Sequence, residues 1–95
     1  KKLLYSLTLL SLNNIIKGKG DNFMNGILIY NQNERRYNIS FEDGSYYSLH
    51  CGDTFFCSPD LNGWESVRIE LDDDWYLINS KNEKIKIWEN MLVKK

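Results

Sequence analysis

The sequence predicts a small all-β domain. It is either an SH3-like barrel or a strongly twisted antiparallel meander of about six strands, with an extra N-terminal helix. Three observations lead there. The chain has 95 residues, enough for one domain. Three Trp, six Tyr and four Phe supply the dense core that so short a chain needs. From residue 24 onward, short runs of alternating apolar and polar residues are separated by turn-forming residues.

Residues 1–23 read as an N-terminal extension. "KKLLYSLTLLSLNNII" has the basic start and short apolar run of a secretory signal, but Asn13 and Asn14 stand where small cleavage-site residues belong. The run is too short to span a bilayer. Leu3, Leu4, Leu7 and Leu10 have helical spacing, and such a helix would pack on the barrel or on a second copy, giving a dimer. A further reading comes from "KGKGDNFM", Lys17–Met24, which can be encoded by a purine-rich ribosome-binding sequence followed by a start codon. On that reading residues 1–23 are translated leader and the domain is residues 24–95.

The strands follow in order. "GILIY" (Gly26–Tyr30) is β-branched and aromatic. After "NQNE", "RRYNISF" puts Tyr37, Ile39 and Phe41 on one face. After "EDG", "SYYSLHC" puts Tyr47, Leu49 and Cys51 inward and Tyr46, Ser48 and His50 outward. Gly52-Asp53 reads as a two-residue turn into "TFFCS", which sets Cys51 opposite Thr54 and Cys57 opposite Ser48. "PDLNG" ends in Asn-Gly, a hairpin signal, and leads to "WESVRIEL" with Val67, Ile69 and Leu71 inward. "DDD" turns the chain into "WYLIN". "SKNE" leads to "KIKIW", and "WENMLVKK" closes the domain as a turn or a last strand.

His50, Cys51, Asp53 and Cys57 are the natural first candidates for a site. A structural zinc wants two ligand pairs, and this chain has one His and two Cys six residues apart. His50 and Cys51 are neighbours, so on a strand they point to opposite faces and cannot act as a nucleophile and its base. The expectation is no metal, no cofactor and no catalysis. Cys51 and Cys57 are either free thiols of a cytoplasmic protein or one bridge of an exported one. The predicted pairing keeps them apart and argues against the bridge.

Charge points to binding. Between Glu42 and Asp74 nine acids face one base, Arg68, for a net −8, whereas from Lys81 five Lys face two Glu, for a net +3. The acidic middle repels phosphate and suits a basic protein surface. Solvated loop acids are the plainer account of the same residues. The candidate partner-binding residues are Tyr46, His50, Trp64, Glu65, Glu70, Asp72, Asp73 and Asp74. Trp88 is another outward aromatic, although capping the barrel ends would equally explain these rings. The alternative is a nucleic-acid-binding barrel using Arg35, Arg36, Lys84, Lys86 and aromatics.

The segments "SLHCGDTFFC" and "NGWESVRIELDDDWYLI" resemble a small uncharacterised family, a domain of unknown function, of low-GC Gram-positive bacteria and their mobile elements. The resemblance rests on Gly26–Tyr30, on Leu49–Asp53 (a Leu-His-Cys-Gly-Asp motif), on Trp64 with Arg68–Glu70, and on Trp75–Leu77. It lapses after Asn79. It implies a compact β-domain with no known catalytic residues. Small acidic proteins of such elements include inhibitors of host defence, so by analogy the resemblance implies an anti-CRISPR-like role.

Overall fold

The computed structural model describes residues 23–95, and its eight strands form one open antiparallel sheet. They are β1 (Asn25–Asn31), β2 (Arg36–Phe41), β3 (Tyr46–Ser48), β4 (Thr54–Cys57), β5 (Glu65–Leu71), β6 (Trp75–Asn79), β7 (Lys84–Ile85) and β8 (Leu92–Lys94). The N-terminal helix and the dimer through it lie outside the described residues.

The strand order is β3-β2-β1-β8-β4-β5-β6-β7, which corrects the expected meander. Two meanders, β1–β3 and β4–β7, are joined by the C-terminal strand. β8 pairs antiparallel with β1 through Asn25↔Lys94 and Gly26↔Val93, and with β4 through Phe56↔Lys94 and Cys57↔Val93. The strands number eight rather than about six, and the segments "KIKIW" and "WENMLVKK" keep only short strands, β7 of two residues and β8 of three.

β3 and β7 are the free edges, so hydrogen bonding does not close a barrel. The sheet nevertheless curls. Trp75 on β6 donates its Nε1 hydrogen to the carbonyl of Arg35, just before β2, at 3.2 Å. Four strands lie between β2 and β6 in the sheet. Flat strands ~4.8 Å apart would put these elements roughly 24 Å from one another. Only strong coiling brings them together.

The inside of the curl is the core. Leu28, Ile39, Leu49, Phe55, Cys57, Val67, Ile69, Leu77, Met91 and Val93 are buried there, with Tyr37, Phe41, Trp75, Ile85 and Ile87 packed against them. Gly26 lies in this face because it must. A Cβ there would stand 2.6 Å from the Ser40 carbonyl oxygen and 2.7 Å from Ile39 Cγ2.

Turns are built by side chains. Asn31 Oδ1 accepts from the amides of Asn33 and Glu34. Asp43 Oδ1 accepts from the Ser45 amide and hydroxyl, which holds its carboxyl below the usual range. Asn79 Oδ1 accepts from the amides of Lys81 and Glu83, while its Nδ2 donates to Glu65 and Glu83.

Several local expectations fail here. The alternation of "SYYSLHC" yields only three strand residues, because Gly52 takes φ +92° and the Asp53 amide bonds back to the His50 carbonyl. Cys51 therefore sits exposed in a turn, not in the core. β4 pairs with β5 and β8 rather than β3, so Cys57 does not face Ser48. Asn62-Gly63 forms no two-residue hairpin, since residues 58–64 all lie between β4 and β5 and the left-handed residue is Leu61. Leu71 is half exposed because β5 ends beyond the rim of the core.

Candidate aromatic groove

The core face of three strands ends in an aromatic ring at the same mouth. On the β1–β2 ladder Leu28 pairs with Ile39, and two residues along the same face Tyr30 pairs with Tyr37. The two tyrosine rings meet edge to face, with centroids 5.1 Å apart. On β6, Trp75 stands two residues from Leu77 and shares its face. These rings come together because the sheet curls, and the Trp75–Arg35 hydrogen bond fastens the closure.

Between them opens a groove of about 610 Å³, lined by Tyr30, Tyr37, Asp74, Trp75, Tyr76 and Ile87, with Lys84 and Lys86. That is within the size of ordinary ligand sites, which form at the mouths of curled sheets. Lys84 Nζ lies over the Tyr76 ring, 4.5 Å from its centroid. Burial raises the Tyr37 phenol above its usual value, and the nearby charge of Glu89 adds to the shift, followed by Tyr30 and Asp74. The groove is thus lined by charges of both signs, Asp74 with Lys84 and Lys86.

The residues expected to bind a partner are dispersed. Tyr46 stands out from edge strand β3 with 69% of its surface exposed. His50 is in a separate shallow depression with Glu34, Arg36 and Ser48. Its backbone amide donates to Asp53 Oδ2 at 2.8 Å. The ring of Trp64 already carries a cation, Lys94 Nζ at 4.7 Å. Glu65 accepts from Asn79, and Glu70 accepts from Arg68. Asp72, Asp73 and Asp74 form the exposed β5–β6 turn, and only Asp74 reaches the groove.

The four basic candidates divide as well. Lys84 and Lys86 line the groove, and Arg35 contributes its carbonyl to the groove's closure. Arg36 points elsewhere and donates through Nη1 to the Leu49 carbonyl. Tyr30, Tyr37, Trp75 and Tyr76 were not singled out by the sequence as binding residues. The signal was present: Leu28/Tyr30, Ile39/Tyr37 and Leu77/Trp75 each place an aromatic two residues beyond a core aliphatic.

Among the described residues, no group of three or more His, Cys, Asp and Glu side chains is placed to hold a metal ion. Among them, no helix is long and apolar enough to cross a membrane. Cys51 and Cys57 are both free thiols. Cys57 is buried, and burial with the Glu65 charge pushes its pKa up to about 12.

The fold and groove define a small all-β domain built on one curled sheet. Residues 26–94 match the family described as "Domain of unknown function (DUF5348)", and the chain belongs to that family. It is also similar to a protein from Ruminococcus gnavus of known crystal structure, at 35% identity and a TM-score of 0.64. That match covers 75% of this chain and 99% of the other. No curated protein matches the chain.

Proposed function

We propose that the protein is a non-enzymatic binding module that captures a segment of a partner protein in the groove between β1–β2 and β6–β7. One observation carries the reading. Tyr30 and Tyr37 from β1–β2 and Trp75 from β6 bring three aromatic side chains to a single open mouth, with Tyr76 and charged groups of both signs along its sides. Aromatic clusters are the usual energetic centre of protein recognition. The acidic β5–β6 turn beside the groove suits a partner with a basic surface. Inhibition of a host defence complex by a mobile-element protein is one setting for such a module.

Display selection of peptides on the full chain and on Tyr30→Ser/Tyr76→Ser tests the reading. Peptides retained by the wild type and lost with the double variant support it. Failure to select any groove-dependent peptide overturns it. A second reading, single-stranded nucleic acid, draws support from Lys84 and Lys86 beside the aromatics. It requires salt-sensitive retention of an oligonucleotide that the same double variant abolishes.

A further inference from the structure

We infer that the groove takes a proline-rich segment in the polyproline II conformation, with a basic residue of that segment against the Asp72–Asp74 turn. This deepens the reading of the groove as a peptide site and rests on it.

The shape of the site is the first argument. The groove is an aromatic trough, and neither edge strand lines it except through Lys84 of β7. An added β-strand would instead need the free backbone of β3 or β7. Ligands held by trough-like aromatic surfaces present flat, rigid apolar faces. Proline rings do so at low entropic cost because their helix is preformed. The polyproline helix has no internal hydrogen bonds, so its carbonyls are open to phenol donors. Tyr30, Tyr37 and Tyr76 are among the residues that line the groove.

Charge is the second argument, and it separates peptide from nucleic acid. A single strand brings a phosphate with every base, and stacking sites for it are lined by cations. Here Asp74 lines the groove, and Asp72 and Asp73 stand exposed in the same turn. Of the two lysines, Lys84 already rests on the Tyr76 ring. Repeated phosphates would meet these carboxylates, whereas a peptide with one Arg or Lys would pair with them and leave its neutral prolines on the rings.

Titration of the isotopically labelled full chain with synthetic peptides tests this. The probes are decaproline, decaproline flanked by Arg, a Gly/Ser peptide with the same Arg, and oligo(dT). Arg-flanked decaproline should shift the Trp75 indole and the Tyr30, Tyr37 and Tyr76 resonances. It should bind about tenfold tighter than neutral decaproline at low salt. Asp72→Asn/Asp73→Asn, outside the groove lining, should reduce that preference by about threefold or more and leave neutral decaproline binding unchanged. Tyr30→Ser/Tyr76→Ser should weaken both peptides at least tenfold. If that double variant does not fold, the exposed Asp-to-Asn variant carries the test.

Absence of groove shifts with either proline peptide overturns the inference, as does equal binding of the Gly/Ser peptide. Oligo(dT) shifting the groove while the peptides do not also overturns it. If display yields groove-dependent peptides without proline, this inference falls and the protein-binding reading stands.

Discussion

The indole nitrogen of Trp75 lies 3.2 Å from the carbonyl oxygen of Arg35, its acceptor, across a separation of 40 residues. Arg35 holds a left-handed backbone, φ 56°, at the end of the β1–β2 turn. One hydrogen bond thus joins the two halves of the curled sheet at the rim of the groove. Trp75→Phe keeps most of the packing and removes the donor. It should lower stability by about 1 kcal/mol, read as the shift in urea midpoint at constant m-value. The shifts of Tyr30 and Tyr76 should change with it, because the groove loses its fastening. An unchanged groove would mean that packing alone holds the curl.

The predicted all-β class matches the structure because period-two patterning survives in β2 and β5. Ile39 in β2 and Val67 and Ile69 in β5 face inward as their alternation says. The order of strands was not legible. β8 has three residues, and its place between β1 and β4 depends on pairings across most of the chain. The groove was hidden for a related reason. Tyr30, Tyr37 and Trp75 alternate as core residues do, and only the curl of the sheet decides that the core ends before them. Trp64 was misleading in the opposite sense: its charge partner, Lys94, is thirty residues away in sequence and directly over its ring in space.

Gly26 sets a steric limit at the centre of the sheet. It pairs with Phe41 on one side and Val93 on the other. The Ser40 oxygen, 2.6 Å from a Cβ at this position, is backbone and cannot withdraw without disturbing the β1–β2 ladder. Gly26→Ala should cost about 1–3 kcal/mol, the range for overpacked interiors. Gly44 is the control. It has a φ of +91°, and a Cβ added there would meet nothing within 4 Å, so Gly44→Ala adds backbone strain alone. Its cost should be about 1 kcal/mol. Equal effects at the two sites would sink the steric account.

Removal of β8 should abolish the fold rather than trim it. β1 and β4 are each paired to β8 and not to each other, so deletion of Leu92–Lys95 opens the sheet at its centre. It also exposes the core around Val93. The shortened chain should lose its dispersed amide spectrum and its cooperative urea transition. Val93→Ala, which keeps the pairing, should remain folded and lose roughly 2–3 kcal/mol. A cooperative transition in the truncated chain would show that one meander folds alone.

The two cysteines should differ sharply. Cys51 is exposed in its turn and should react quickly with a disulfide reagent, whereas Cys57 should wait for unfolding. Cys57 also makes stability depend on alkaline pH. Burial, with Glu65 nearby, raises its pKa from 9.0 to about 12, so the unfolded chain releases this proton before the folded chain does. The resulting stabilisation is complete below about pH 9 and declines as pH rises toward 12, by about 1.4 kcal/mol per unit. Tyr37 is shifted in the same direction, chiefly by burial, and adds to the loss above its ordinary value of 10.0. Urea midpoints at rising pH should therefore fall for the wild type and fall less steeply for Cys57→Ala. Parallel slopes in the two proteins would show that Cys57 does not carry the effect.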